Sequence, residues 1–107
     1  MTVSDLLSLP HFSKAALPAP EKNVEGVYIG DLLSWVMGRA GQGSAWITIM
    51  SNINVLAVAS LADVSCVIFA EGVVPDTEII ALANEKGVNL ITSELPAYET
   101  AIKLSEL

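Results

Sequence analysis

Apolar residues fall in short runs separated by small polar corners, and the runs alternate between two textures. Residues 27–29 (VYI), 45–50 (AWITIM), 64–69 (VSCVIF) and 88–91 (VNLI) are rich in β-branched side chains and predict strands. After each comes a stretch with helical character. Leu32, Leu33, Trp35, Val36 and Met37 fill a first helix, with Asp31 as its N-cap, Arg39 near its C-terminal dipole, and Gly38, Gly41 and Gly43 as its stop. Residues 53–62 are ambiguous by composition: Ile53, Val55 and Leu56 suit a strand, whereas Ala57, Ala59, Leu61 and Ala62 suit a helix. The next run follows directly, and residues 61–63 make a poor turn, so a helix capped by Asn52 or Asn54 is the better reading. In the third unit, Pro75 stands where a helix begins, Asp76 and Glu78 occupy its positive end, and Ile79, Leu82 and Ala83 share one stripe. Lys86 and Gly87 close it. Pro96 opens a last helix carrying Tyr98, Ala101, Ile102 and Leu104.

The strand runs are continuous rather than alternating, as expected of strands covered on both faces. The fold class is therefore α/β: a mostly parallel sheet of four to five strands with helices packed on its faces. Right-handed crossovers then place every strand-to-helix corner at one edge. The first 25 residues are less regular. They predict a short helix over 3–9 with Ser4 as N-cap and Pro10 as its stop, a strand over 12–17, and a loop at Pro18, Pro20, Lys22 and Asn23. This segment is too short for a core of its own. Both tryptophans, Trp35 and Trp46, are assigned to the core. An exposed Trp35, with Leu32 and Met37, would instead mark a dimer contact.

Composition narrows the possible functions. The 107 residues carry 12 acidic and 5 basic side chains, a net charge of −7, with 52% hydrophobic residues and a mean hydropathy of +0.56. Disorder requires the reverse balance. The acidic chain, with its few bases scattered at Lys14, Lys22, Arg39, Lys86 and Lys103, lacks the basic face that nucleic acid needs. The most apolar stretch, 53–70, is broken by Asn54 and Asp63, so no membrane span is expected. The N-terminus has Asp5 before any base and does not read as a secretion signal, which points to the cytoplasm. One cysteine and one histidine leave no disulfide and no material for a zinc site.

Candidate chemistry concentrates at the polar corners. Gly30 and Asp31, then Ser51, Asn52 and Asn54, then Gly72, and finally Thr92 and Ser93 end strands and lead toward helix N-termini. Backbone N–H groups in such places hold anions or polar small molecules, and these eight residues are the candidate ligand site. The same residue types also simply cap helices. No residue is assigned a catalytic or metal-binding role, and no cofactor is implied. A P-loop is absent, His11 reads as a surface residue, and Cys66 as an inert core thiol. A catalytic alternative, phosphoryl transfer with a partner chain, requires Asp31 and Glu71 to converge. A purely structural assembly subunit is the other alternative.

From residue 45 onward the chain resembles the DRTGG domain family, the small α/β module similar to the N-terminal domain of bacterial HPr kinase/phosphorylase and also found beside CBS domains. The segment from Pro75 to Ala101, PDTEIIALANEKGVNLITSELPAYETA, carries the most specific part, and NVEGVYIGDLLSWVM matches the first strand and helix. The Asp-Arg-Thr-Gly-Gly string itself is absent. Ala70-Glu71-Gly72 stands in place of a paired glycine, and Ser51-Asn52-Ile53 in place of a common arginine. The resemblance covers roughly residues 24–107, and the chain is read as one DRTGG-like domain over residues 1–107 with 1–25 as its less regular N-terminal segment. The resemblance implies a non-catalytic regulatory module without a kinase domain, a homodimer that binds a small anionic ligand or a partner protein.

Overall fold

The computed structural model describes all residues 1–107. A 3₁₀ turn over Val3–Ser8 leads into β1 (Phe12–Ala16). Four strand–helix units follow: β2 (Gly26–Ile29) and α1 (Leu33–Arg39), β3 (Ser44–Thr48) and α2 (Asn54–Ala62), β4 (Cys66–Phe69) and α3 (Thr77–Lys86), β5 (Leu90–Ser93) and α4 (Ala97–Ser105). The sheet order is β1-β5-β4-β3-β2, parallel throughout except for β1, which runs antiparallel to β5 with Phe12 opposite Ser93.

Consecutive strands lie side by side, so α1, α2 and α3 all cross on one face. Trp46, Val67, Phe69 and Leu90 point toward them and meet Val36, Val55, Leu56, Ala59, Ile79 and Ala83. The alternate residues Ala45, Ile47, Cys66, Ile68 and Ile91 point to the other face, where Leu104 of α4 and Val3 and Leu6 of the 3₁₀ turn cover them. Every residue of β3 and β4 is buried, which explains why their sequences lack alternation.

Local signals set the helix ends. Asp76 caps α3 by accepting a hydrogen bond from the Ile79 N–H at 3.0 Å. Gly87 ends that helix in the left-handed region at φ 76°, where a side chain would be strained. The ambiguous stretch before β4 is helical, but neither Asn52 nor Asn54 caps it: Ile53 holds the N-cap position with no side-chain bond, and Asn52 accepts from the Asn54 N–H at 3.0 Å in the turn that precedes α2.

Three further local expectations are corrected. Asp31 does not cap α1: the helix starts after Leu32, and the Asp31 carboxylate is taken by β3, as described below. Ser4 does not cap the N-terminal turn, which follows Thr2 and is 3₁₀ rather than α; Asp5 reaches back to accept from the Thr2 N–H at 2.8 Å. This hydrogen bond to its charged form holds the Asp5 carboxyl below the usual range. Trp35 is exposed, because α1 lies over the outermost strands and turns only the line of Leu33, Val36 and Ala40 inward.

Candidate functional site

The strand-to-helix corners do lie along one edge of the sheet, but they do not form a single site. At the β2 end, Asp31 accepts from the Thr48 hydroxyl at 2.7 Å and from the Ile49 N–H at 3.0 Å. The Gly30 carbonyl accepts from the Trp46 indole at 2.8 Å. Gly30 and Asp31 therefore fasten the end of β2 to β3. Glu71 follows β4, two strands away, or about 10 Å at the usual interstrand spacing. Its N–H donates to the Leu95 carbonyl. Phosphoryl transfer would need both carboxylates free to converge on a substrate, and Asp31 is committed to the scaffold.

Ser51 and Asn52 line a second cleft, of about 410 Å³, with Ile53, Asp76, Glu78 and Ile79. Its two carboxylates disfavour an anion. Asn54 lies outside it, exposed on the first turn of α2.

The third place differs in topology. From β4 the chain leaves toward α3 on one face, whereas from β5 it leaves toward α4 on the other. The corners diverge here, as at the switch points where open α/β sheets take ligands. Gly72, Thr92 and Ser93 meet at this point and line a cleft of about 470 Å³. Because β1 is antiparallel, its start lies at the same edge and contributes His11 and Ser13, opposite Glu94. The His11 Nδ1 and the Glu94 carboxylate are 3.0 Å apart. His11 at φ 72° and Glu71 at φ 62° both hold left-handed backbone, a conformation that side chains other than glycine seldom take.

The eight candidate residues therefore divide into three groups. Gly30 and Asp31 stabilise the β2 corner, Ser51, Asn52 and Asn54 lie around α2, and Gly72, Thr92 and Ser93 share the diverging corner. Within that last group the side chains differ in role. Ser93 is buried, its hydroxyl 2.8 Å from that of Thr100 and accepting from the Leu95 N–H at 3.2 Å. Thr92 is only partly buried and bonds weakly to the Ser13 carbonyl at 3.4 Å. His11, Ser13 and Glu94 were not among the candidates. Their membership depends on the direction of β1, for which residues 12–17 carry no signal.

A family profile for the DRTGG domain matches residues 19–107. The chain belongs to the DRTGG domain family. No curated protein matches this DRTGG chain. Among solved structures, it is similar to the CBS and DRTGG domains of the regulatory region of Clostridium perfringens pyrophosphatase, determined in complex with the activator diadenosine tetraphosphate. The likeness has a TM-score of 0.69 at 19% identity and covers 95% of this chain and 44% of the other, so the DRTGG chain spans less than half of that structure. It establishes the shared α/β fold. No helix is long and apolar enough to cross a membrane, and no three His, Cys, Asp or Glu side chains gather as a metal site would need.

Cys66 lies inside β4 against Ile68 and Leu104, and burial pushes its thiol from an ordinary value near 9 up to about 12. Its neutral form is favoured in the folded state. The resulting stabilisation is complete below pH 9 and is lost as pH rises from 9 toward 12, where only the unfolded thiol ionises. Thiol reagents at pH 8 are expected to leave the folded protein unmodified and to label Cys66 at the rate of unfolding. Fast labelling, followed by mass spectrometry, would contradict this burial.

Proposed function

We propose that this DRTGG chain is a cytoplasmic, non-catalytic regulatory module that binds a small anionic ligand at the diverging corner of β4 and β5 and acts as a homodimer. Residues 1–107 serve as one unit in this reading, since β1 supplies one wall of the cleft. The observation that carries it is the cleft itself. It lies where the two crossovers part, and it combines the hydroxyls of Thr92 and Ser13, the glycine backbone at Gly72 and the imidazole of His11, which faces the cleft's single carboxylate, Glu94. The acidic cleft beside Asp76 and Glu78 offers an anion no such partners. The regulatory region with the same fold takes a polyanionic dinucleotide, which supports this ligand class.

Binding would raise stability by mass action, by about 2.7 kcal/mol at a ligand concentration 100 times Kd. Thermal unfolding with diadenosine tetraphosphate, ATP or a sugar phosphate is expected to show a concentration-dependent rise in Tm for at least one of them, reduced by Thr92→Val and by Ser13→Ala. The ligand reading fails if none of these anions shifts Tm at millimolar concentration. It also fails if the two substitutions leave a shift unchanged, because the ligand then sits elsewhere.

A further inference from the structure

The two edges of the sheet are built differently. β1 carries Lys14, and its register slips between Lys14 and Ala16, so its outer edge is charged and irregular. Both features discourage another strand from adding there. β2, the opposite edge, reads GVYI, with no charge, proline or bulge. Its Tyr28 packs toward the core, while Val27 and Ile29 point to the face that α4 leaves open, since α4 reaches only as far as β3. Around the corner, Leu32 and Trp35 continue the apolar surface, and Ile49 adjoins it beside Asp31. These five side chains are each between 43% and 57% exposed.

From this arrangement we propose that a second copy of the chain docks on the β2–α1 edge, with β2 pairing antiparallel to its counterpart across a two-fold axis. The proposal rests on the dimeric reading above and names its surface. Area, charge and backbone geometry favour a second copy. The five side chains present on the order of 400 Å² of apolar surface, and with the strand backbone and a polar rim this approaches the ~800 Å² per partner of a standard stable interface. Charge is the main obstacle to self-association in a molecule of net charge −7, and this face is nearly clear of it. The Asp31 carboxylate is already held by Thr48 and Ile49, and the Glu25 side chain lies against Gly43, where an added Cβ would come within 2.6 Å of it. Arg39 stacks on the Trp35 ring at 3.7 Å, pairing two residue types that dominate binding energy at interfaces. An open edge is self-complementary under two-fold symmetry: each strand offers the other its unpaired N–H and C=O groups.

Sedimentation of the intact chain, of Val27→Lys, of Trp35→Glu and of Lys14→Glu tests the assignment. The expected result is a wild-type mass twice 11.3 kDa, loss of the dimer in Val27→Lys and Trp35→Glu at concentrations where wild type is dimeric, and an unchanged dimer in Lys14→Glu. A wild-type mass of 11.3 kDa at all concentrations overturns the dimeric reading and this surface with it. A wild-type dimer that survives both edge substitutions, or that dissociates on Lys14→Glu, overturns the surface alone. Should either edge variant fail to fold, amide exchange on wild type decides: protection over residues 26–29 that rises with protein concentration supports the pairing, and concentration-independent exchange there refutes it.

Discussion

Replacing Trp46 by alanine is expected to destabilise the protein by about 4 kcal/mol, a large share of the 5–15 kcal/mol typical of a domain this size. The indole is fully buried in the middle of β3, packed with Val36, Val55 and Phe69 under α1 and α2. Truncation removes its burial and leaves a cavity that two helices and a rigid sheet cannot collapse around. It also removes the indole N–H that bonds the Gly30 carbonyl at 2.8 Å, loosening the corner where Asp31 holds β2 to β3. Urea unfolding should show a lower midpoint with an unchanged slope. Trp46→Phe retains most of the volume and should lose far less. A Trp46→Ala loss below 1 kcal/mol would mean that β2 and α1 do not depend on this side chain.

Asn89→Leu is expected to cost about 3 kcal/mol despite its similar size. Asn89 sits buried just before β5, and its amide closes three hydrogen bonds. It accepts from the Ala19 N–H at 2.9 Å and donates to the carbonyls of Ala19 at 2.7 Å and Ser65 at 3.0 Å. Leucine satisfies none of them, and each buried polar group left without a partner costs about 1–3 kcal/mol, less where water can enter. The loss falls on the contact that binds the 17–25 loop to the strand that receives β1. Proteolysis of that loop should therefore accelerate in step with the drop in denaturant midpoint. Equal stability with an intact loop would show that water replaces the amide at no cost.

Much of this architecture was legible because its signals are local. Asp76 at the start of α3 and Gly87 at its end are read from residue type alone, since capping and left-handed backbone depend on a few neighbouring atoms. The continuous apolar runs of β3 and β4 reported burial on both faces. Asp31 was misjudged for the converse reason. Its type suits an N-cap, but Thr48 and the Ile49 N–H, 17 and 18 residues away, present donors that only the adjacency of β2 and β3 brings within reach. Trp35 failed similarly. Its helical position is consistent with burial, and only the absence of any element beyond β2 leaves it exposed.

The candidate ligand residues show the same division. Their common edge follows from repeated strand–helix units and the handedness of crossovers. Which corners meet depends on the face that each helix takes, and α4 alone among the four crosses to the side of Leu104 and Cys66. That reversal separates Gly72 and Thr92 from Gly30 and Asp31, and it opens the cleft into which β1 brings His11 and Ser13.

By itself, then, the sequence determined the alternation of strands and helices, the parallel character of the sheet and the polar edge, because propensity, capping and burial on two faces are written in neighbouring residues. Tertiary structure alone decided the antiparallel addition of β1, the divergence at β4 and β5, and the bare edge at β2. These depend on pairings such as Phe12 with Ser93, 81 residues apart, and on which surface each helix finds to cover.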